Sequence, residues 1–292
     1  MFVYSIVIPH KNCVPLLQRC LSSIPQRDDI QVIVVDDASD LTEGERSLME
    51  SFQTDRTQVV FLTETRFAGG ARNVGLSLAE GKWVVFADSD DFFTKDAFDI
   101  FDDYKNTDFD IVFFGHSACY SDDLRPASRL GDRAKHLDDF VKTHSRKAEK
   151  QLRYKNPSPT SKMMRNAFIG EKQLRFEEIK ASNDSMFSLL SGYYADTIMG
   201  DNRIVYCSTI REGSLTQTKN REIAYCRYAE MVREYVFFRE HGLEDMYPWV
   251  TSAVIHSWMD FGFKEFRKYL RLARENKINI WLGVTRRLKK TT

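Results

Sequence analysis

The chain has 292 residues, 42% hydrophobic and 29% charged, a length that suits one large domain or two modest ones and a composition that excludes a disordered or collagen-like chain. Its 42 basic and 42 acidic residues cancel, so no global positive field favours nucleic acid. No apolar run approaches the roughly 18 residues of a membrane-spanning helix. Because the N-terminus lacks the basic region of a signal peptide and the five cysteines form no Cys-x-x-Cys pair, we predict a reduced, cytoplasmic protein.

The charges are nonetheless unevenly distributed along the chain. Residues 88–123 contain eleven Asp and two Lys, whereas residues 264–290 contain ten Lys or Arg and two Glu. Either run can be an ordinary solvated helical face. The functional alternatives are a cation-binding cleft for the acidic run and a segment attracted to an anionic surface for the basic one.

Short apolar runs alternate with helical patterns over the first 115 residues. The runs are rich in Val, Ile and Phe and apolar on both faces, which is typical of strands in a sheet covered on both sides. They lie at residues 4–8, 32–35, 59–62, 83–87 and 111–114. Asn12 is the predicted N-cap of the first helix, and Gly69-Gly70 opens the helix before the fourth strand. This order predicts an α/β fold with a Rossmann-like, mainly parallel sheet and helices on both faces.

The remaining chain divides into three parts of different texture. Residues 116–160 are polar and broken, residues 161–220 mix short helix and strand patterns, and the chain is helical from Glu222 onward. Within this helical C-terminal appendage, Tyr225, Tyr228 and Tyr235 recur on one side of a helix. We interpret this stripe as packed core rather than as a platform for an acceptor.

Polar segments follow the second predicted strand and open the later helix, and ligands of open α/β sheets bind outside the carboxyl ends of the strands. The carboxylates of Asp36-Asp37 can accept hydrogen bonds from a uracil N–H or from ribose hydroxyls, or the pair can simply begin a turn. In Gly69-Gly70-Ala71-Arg72-Asn73, free N–H groups at a helix N-terminus and the Arg72 guanidinium would attract a phosphate. Glycine pairs are also common in loops, and no Gly-Lys-Ser/Thr of a P-loop follows.

The segment Asp88-Ser89-Asp90-Asp91 carries the clearest chemistry. A buried apolar strand delivers three carboxylates to a sheet edge, which is costly unless a cation or solvent compensates their charge. Two aspartates spaced by two residues can aim both side chains at one ion, and oxygen ligands without His or Cys favour Mg²⁺ or Mn²⁺. A plain acidic turn is the alternative. A phosphatase-type nucleophile is a poorer match, because Phe92 stands where that motif carries Thr or Val.

Together, these segments resemble the family 2 glycosyltransferases of GT-A fold. The resemblance is carried by four blocks in the first third of the chain and, more loosely, by three later ones. They are Ser5–Pro9 with Asn12, Val34–Ser39, Ala71–Gly75 and Phe86–Asp91, followed by Leu174–Phe176, Asn183–Phe187 and Arg211–Leu215. The likeness covers residues 3–216 and leaves the helical appendage unclaimed.

The resemblance implies how a nucleotide sugar would be held. In such enzymes, the loop after the first strand and the acidic end of the second strand bind the nucleoside. Pro9 would form a backbone wall, Asp37 would read the base, and Asp36 would orient the turn. Arg72 and Ser89 would lie near the nucleotide and its phosphates.

The resemblance also implies an inverting, metal-dependent reaction with Mn²⁺ or Mg²⁺. Asp88 and Asp90 would form the metal-binding pair, with Asp90 as the direct ligand and Asp88 nearer the donor's ribose or the waters of the metal. Asp184 would act as general base and take the proton from the acceptor hydroxyl; its alternative role is the N-cap of the following helix. Arg211 and Ser214 would close over the donor diphosphate.

The sequence departs from the family pattern at two positions. Lys11 stands where the family often has Tyr, so stacking on the base is lost and the lysine either faces solvent or meets a phosphate. Asn183 stands where Glu is common, which leaves Asp184 as the only carboxylate of its block.

We therefore predict a non-processive glycosyltransferase that moves a sugar from a nucleotide sugar, most simply a UDP-sugar, to a hydroxyl of a glycan or lipid-linked glycan in capsule, lipopolysaccharide or other surface polysaccharide assembly. Residues 1–115 would bind the donor, residues 116–220 the acceptor, and residues 221–292 would form the appendage. A sugar-phosphate nucleotidyltransferase and a non-catalytic assembly protein that binds sugar nucleotides are the alternatives. The basic tail after Phe263 would be a packed terminal helix or a peripheral contact with the inner face of the cytoplasmic membrane.

Overall fold

A computed structural model describes residues 1–127, 131–211 and 220–281 of the chain. An eight-stranded sheet forms its centre, with the strands in the order β3-β2-β1-β4-β7-β6-β8-β5. In chain order, β1 to β8 are Tyr4–His10, Ile30–Asp36, Thr57–Phe61, Trp83–Phe86, Phe92–Phe93, Ile111–Tyr120, Lys162–Arg165 and Ile198–Ile210.

The sheet is parallel where the βαβ order predicts it and mixed beyond. Strands β3, β2, β1 and β4 run parallel, and β6 pairs in parallel with β8. Between these two groups, β7 lies antiparallel to both β4 and β6. The short β5, which follows the acidic segment, pairs antiparallel with β8. The second half of the chain therefore completes the same sheet that the first half begins.

The described residues also contain eleven α-helices and a short 3₁₀ helix. In chain order, α1 to α11 are Val14–Ser22, Glu43–Glu50, Phe67–Leu78, Ala97–Asp102, Gly131–Thr143, Arg146–Tyr154, Asn166–Glu171, Ser185–Tyr194, Arg221–Glu240, Val250–Phe261 and Phe263–Glu275, and the 3₁₀ helix is Glu244–Met246.

Helices cover both faces of the sheet, as predicted, because alternate side chains of its buried strands feed two separate cores. In β1, Ile6 and Ile8 pack with α1 and α4 on one face, whereas Val7 packs with α3 and the helices of the second half on the other. Every residue of β1 and β2 is buried. Burial on both faces explains why these strands read as continuous apolar runs rather than as alternating patterns.

The C-terminal appendage is helical, and its tyrosine stripe is core. Tyr228 and Tyr235 are buried, and their rings stack on Tyr269 and Tyr247 with centroids 4.4 and 3.9 Å apart. The opposite side of α9 packs on α8 through Phe237 and its neighbours. None of the described helices is both long and apolar enough to cross a membrane. The basic end of the predicted tail, residues 282–290, lies outside the described residues.

Three local predictions are wrong. Asn12 does not cap α1: Cys13 holds the N-cap position, and Asn12 adopts a left-handed φ of 53° while its side chain accepts a hydrogen bond from the Asp40 N–H. The first strand does not end at Pro9, since β1 continues to His10 beside β2, where proline needs no N–H partner. The polar stretch 116–160 is not broken throughout, because it contains the end of β6 and helices α5 and α6.

Candidate functional site

The carboxyl ends of β1 and β2 form a buried polar knot. His10 and Asp36 are register partners, and His10 Nδ1 lies 2.7 Å from Asp36 Oδ1. His10 Nε2 accepts a hydrogen bond from the Cys13 N–H, so the ring proton sits on Nδ1 and is donated to Asp36. Ser39 donates both its N–H and its hydroxyl to the same carboxylate. Asp36 is therefore bonded to the first strand and to the turn that follows the second.

Asp37 is also buried and hydrogen-bonded within the chain. Its Oδ1 accepts the Arg66 N–H at 2.6 Å, and its Oδ2 accepts the Thr65 hydroxyl at 2.5 Å. Lys11 Nζ donates to the Asp37 carbonyl and to Thr65, and lies 3.4 Å from Asp37 Oδ2. Asp37 Oδ1, which accepts one hydrogen bond, keeps a lone pair for a further donor. The half-exposed side chain of Lys11 thus lies against Asp37 and Thr65 rather than free in solvent.

The acidic segment after β4 is anchored from β8. Asp91 is buried; its two oxygens accept the Thr209 N–H at 2.6 Å and the Tyr206 hydroxyl at 3.0 Å. The same hydroxyl accepts the Asp88 N–H, and the Thr209 hydroxyl donates to the Asp90 carbonyl. Asp91 therefore fixes the loop that presents Asp88 and Asp90, and it has no oxygen turned outward for an ion.

Asp88 and Asp90 are the carboxylates that face outward from this loop. Burial and the neighbouring charge of Asp88 raise the pKa of Asp90 above its ordinary value, although Arg211 opposes the shift. Arg211 Nε lies 3.4 Å from Asp90 Oδ2. Within the described part of the chain, no three acidic, His or Cys side chains are arranged to hold a metal by themselves. An ion here would need ligands from a bound donor, as Mg²⁺ commonly has.

Arg72 joins this acidic edge to the segment that carries the candidate base. Its guanidinium is buried and donates to Asp88 Oδ1 at 2.6 Å and to Asn183 Oδ1 at 2.8 Å, while it lies 5.3 Å from the centre of the Phe176 ring. The Arg72 Nε is buried without a partner. The predicted contact between Arg72 and a phosphate stays a prediction.

Asp184 holds the N-cap position of α8 but does not cap the helix with its side chain. Removal from bulk water raises the pKa of this carboxyl; the charge of Arg72 opposes that shift and the charge of Asp88 adds to it. Asp184 therefore occupies the N-cap position, as the alternative prediction has it, but its carboxylate makes no capping hydrogen bond. The carboxylate is thus free of the helix terminus and can accept a proton.

The glycine pair serves packing rather than an open phosphate cradle. Helix α3 begins at Phe67, so Gly69 and Gly70 lie inside its first turn, and the Gly70 N–H already donates to Arg66. A Cβ on Gly69 would lie 2.0 Å from the Glu177 carbonyl oxygen. Because Gly69 has no side chain, the segment that precedes Asp184 can lie directly against α3 at Glu177.

The remaining predicted site residues fall as follows. Pro9 is buried at the end of β1 beside Val35, and the buried Ser89 hydroxyl lies 3.2 Å from Cys13 Sγ. Arg211 lies beside Asp90. Ser214 lies outside the described residues. The structure therefore brings Asp88, Asp90, Arg72, Arg211 and Asp184 to one side of the sheet.

Sequence reasoning missed the residues that hold these groups in place. Tyr206 and Thr209 lie in a strand whose pattern gives no hint that it serves the acidic segment. Arg19, a residue of α1, donates a hydrogen bond to the Asp90 carbonyl at 2.6 Å. Lys162 is fully buried in β7, where burial and the charge of Arg133 lower its pKa to about 7 against the attraction of Asp184. A lysine inside an apolar strand was the one available signal.

Comparisons with known proteins identify sequences that are similar to this chain. A sequence model described as "Glycosyl transferase family 2" matches residues 5–170. The chain is 28% identical over 225 residues to the poly(ribitol-phosphate) beta-N-acetylglucosaminyltransferase TarS of Staphylococcus aureus (strain Mu50 / ATCC 700699), which covers 73% of this chain and 36% of TarS. The chain thus spans about a third of the length of that relative.

Solved structures resemble the chain over more of its length. The S. aureus TarS 1-349 complex with UDP-GlcNAc superposes with a TM-score of 0.61 at 19% identity, covering 94% of this chain and 92% of that one. The mannosyltransferase PcManGT from Pyrobaculum calidifontis, in complex with GDP-Man and Mn²⁺, gives a TM-score of 0.57 at 17% identity, covering 93% and 75%. At these identities the likeness concerns the fold, and it confirms the predicted GT-A architecture.

Proposed function

The chain belongs to glycosyl transferase family 2, and from that premise we propose that it transfers a sugar from a nucleotide sugar to a hydroxyl group, with inversion at the anomeric carbon. A UDP-sugar is the proposed donor, because the TarS structure that resembles this chain was solved with UDP-GlcNAc. The proposed acceptor is a glycan or lipid-linked glycan of a surface polysaccharide, since the relative TarS is named for action on poly(ribitol-phosphate).

The contact that supports this proposal most directly is made by Arg72. One buried guanidinium bonds both Asp88, on the proposed donor side, and Asn183, next to the proposed base. Transfer needs the leaving diphosphate and the attacking hydroxyl on opposite sides of a single carbon. Arg72 meets that need because it holds the Asp88 carboxylate beside the segment that carries Asp184.

The carboxylates of Asp88 and Asp90 fit a divalent ion, Mn²⁺ or Mg²⁺. Their oxygens are the hard ligands that such ions prefer. Burial first, and then the charge of Asp88, raise the pKa of Asp90, and a cation beside the two carboxylates would oppose both effects. Asp88 and Asp90 would hold the ion together with oxygens of the donor. When bound, it supplies positive charge that stabilises the departing nucleoside diphosphate.

The chain's own residues would perform the proton transfer and the positioning. Asp184 would take the proton of the acceptor hydroxyl as that oxygen bonds to the anomeric carbon and the bond from this carbon to the diphosphate oxygen breaks. Its raised pKa brings the carboxylate closer to the working pH, which favours a general base. Arg72 would keep Asp184 ionised by its charge, and Asp37, Asp36 and Pro9 would line the nucleoside pocket.

The donor class is tested by a thermal-shift panel of UDP-, GDP-, CMP- and dTDP-sugars, each with Mn²⁺ and again with EDTA. A ligand present at about 100 times its dissociation constant adds roughly 2.7 kcal/mol to stability, which raises the midpoint by a few degrees. We expect UDP-sugars to stabilise the protein in Mn²⁺ and less in EDTA. Absence of a shift with every donor would remove the transferase proposal.

The catalytic assignment is tested by Asp184→Asn. Loss of a general base typically lowers turnover by about 10²- to 10⁴-fold, whereas donor binding should persist. The matched control is Asp196→Asn, an exposed aspartate just after α8. Normal turnover in Asp184→Asn would refute the base assignment. If the chain is a non-catalytic binding protein, the parent and Asp184→Asn would both bind the donor and neither would turn it over.

The domain division and location complete the proposal. We propose that residues 1–115 bind the donor, residues 116–220 the acceptor, and residues 221–292 form an appendage, although β6 runs across the first boundary. One sugar would be added per encounter, at the cytoplasmic side of the membrane.

A further inference from the structure

The corner between α10 and α11 exposes three large apolar side chains. Trp258, Met259 and Phe263 are 56%, 74% and 61% exposed. The chain turns between the two helices at Gly262, whose φ of 84° is open to glycine but strained for other residues. Trp258 and Phe263 both lie against Phe266, with ring centroids 5.5 and 6.0 Å away, so they belong to one patch.

Helix α11 continues this patch with a basic face. Spacings of three and four residues put its exposed cations on one side of the helix, opposite the buried Glu265, Tyr269 and Ala273. The cations are Lys264, Arg267, Lys268, Arg271 and Arg274. We call the apolar corner together with these five cations the α10–α11 surface. Its basic face is about 15 Å long at 1.5 Å per residue.

The cations of this surface are not neutralised by the protein. Among the residues that the structure describes, Lys264, Arg267, Arg271 and Arg274 form no ion pair. Lys268 lies over the Tyr225 ring, 3.3 Å from its centre, a cation–π contact that keeps the lysine's net positive charge. By contrast, Arg27, Arg66, Arg153 and Arg165 elsewhere on the protein each have a carboxylate partner. The α10–α11 surface therefore holds positive charge available to an outside partner.

We propose that the α10–α11 surface binds the face of an anionic lipid bilayer, with Trp258, Met259 and Phe263 entering the headgroup region and the α11 cations lying on the lipid phosphates. Charge complementarity carries this choice of partner. A second copy of the chain docked through the same face would place like charges against each other. An anionic bilayer instead offers both negative headgroups and an apolar layer beneath them.

The position of this surface suits an enzyme with an acceptor at a membrane. On one side, α9 is tied to the segment before Asp184 by the Arg233–Glu177 ion pair at 2.9 Å. On its other side, the Tyr228 hydroxyl donates to the Tyr269 carbonyl of α11. A single helix thus links the lipid-binding surface to the proposed acceptor side of the site. The binding itself does not depend on sugar transfer and can fail or succeed independently of it.

The test is co-sedimentation of the full chain with vesicles of phosphatidylcholine alone or with added phosphatidylglycerol, without donor or acceptor. We expect binding to the anionic vesicles only, weakened by salt. Each cation near an anionic surface contributes about a fivefold gain in affinity, so Arg267→Ala with Arg271→Ala should lower the partition coefficient by about 20- to 30-fold. Trp258→Ser with Phe263→Ser should also abolish most of the binding.

Matched controls separate this surface from general charge and stickiness. Arg146→Ala with Lys147→Ala removes two exposed cations at the start of α6, and Ile204→Ser removes an exposed apolar side chain on β8. Both controls should bind vesicles like the parent chain. The substitutions Trp249→Phe and Trp281→Phe leave Trp258 as the exposed tryptophan, since Trp83 is buried. In that variant, the fluorescence emission of Trp258 should shift to the blue when anionic vesicles are added.

Several outcomes would overturn the proposal. One is equal binding to neutral and anionic vesicles, and another is equal loss in the control variants. A third is that the parent chain binds no vesicles but is a dimer when measured by light scattering, and that Trp258→Ser with Phe263→Ser makes it a monomer. Thermal midpoints of all variants within a degree or two of the parent would exclude unfolding as the cause of lost binding.

Discussion

Asp36 and Asp91 are both buried carboxylates on the same edge of the sheet, yet their pKa values move in opposite directions. Burial works to raise the pKa of Asp36, but the bonds from His10 and Ser39 outweigh it and the pKa is lowered. Burial also raises the pKa of Asp91, and there the charges of Asp88 and Asp90 add to it, so that the bonds from Thr209 and Tyr206 cannot restore it.

The difference separates a polar cluster whose carboxylates are satisfied by donors of the protein from one in which neighbouring carboxylates raise each other's pKa. The end of β2 has its donors built in, from His10, Ser39, Thr65 and the Arg66 N–H. The end of β4 gathers three carboxylates against Arg72 and Arg211 at its rim. Its surplus negative charge is what a divalent ion would relieve. Four experiments test this contrast, beginning with the largest expected effect.

Asp90→Asn removes one of the two outward carboxylates of the acidic end. We expect turnover to fall by about 10²- to 10³-fold, the cost of losing one preorganised electrostatic contact, with an unchanged circular dichroism spectrum. Initial rates measured against Mn²⁺ concentration check it. Asp96→Asn, an exposed aspartate of the same acidic run, is the control and should behave like the parent. Unaltered turnover in Asp90→Asn would remove the metal assignment.

Asp91→Ala tests the anchoring role of the third carboxylate. It leaves the Thr209 N–H and the Tyr206 hydroxyl without their acceptor inside the protein. We expect the free energy of unfolding to fall by about 2–4 kcal/mol, measured by urea denaturation in EDTA. Asp99→Ala, exposed on α4, should change it by less than about 0.5 kcal/mol. Equal effects in the two variants would mean that Asp91 anchors nothing.

The opposite pKa shifts predict opposite pH dependences of stability. The pKa of folded Asp36 lies below its unfolded value, so its stabilising contribution is present above the unfolded pKa and is lost as pH falls through the folded one. The pKa of folded Asp91 lies above its unfolded value, so stability is lost as pH rises from the unfolded pKa towards the folded one.

The measurement compares the stability of Asp36→Asn and Asp91→Asn with that of the parent between pH 3 and pH 8 in EDTA. Asp36→Asn should remove part of the acid-side loss, and Asp91→Asn part of the loss above the ordinary Asp range. Each slope difference is at most about 1.4 kcal/mol per pH unit, the value for one proton. Slope differences of the same sign in the two variants would contradict the contrast.

Lys11→Met gives the smallest expected effect. The lysine is half-exposed, and its bonds to Asp37 and Thr65 should contribute no more than about 1 kcal/mol to stability. A rise in the donor KM with unchanged kcat would show that Lys11 also meets a donor phosphate. Unchanged KM and kcat together with a small loss of stability would mean that Lys11 only stabilises the protein through its contacts with Asp37 and Thr65.

The sequence predicted the architecture well because its signals are local. Apolar runs of four or five residues, interrupted by helical patterns, identified the parallel strands β1 to β4. The same reasoning put Asp36 and Asp88 on one edge, since carboxyl ends of parallel strands point the same way. The stacked tyrosines of the appendage were also predictable from helical spacing.

The supporting contacts were not predictable, for equally physical reasons. The bonds from Arg72 to Asp88 and Asn183 could not be predicted, because only the tertiary fold brings these partners to it. The glycine pair suggested an anion site, although it is the approach of Glu177 that needs the missing side chain. Asn is a common N-cap residue, but the Asn12 side chain bonds Asp40 in another loop. Each of these contacts joins residues that are distant in sequence.

The anchoring of Asp91 by β8 also sets an order of assembly. Its two partners lie 115 and 118 positions further along the chain, so a growing chain that has released only β1 to β4 carries the acidic segment without its donors. Contacts of such separation close late, because the intervening chain must first be ordered. The proposed metal site would therefore form near the end of folding. An ion at Asp88 and Asp90 would bind a completed protein rather than serve as a template for its folding.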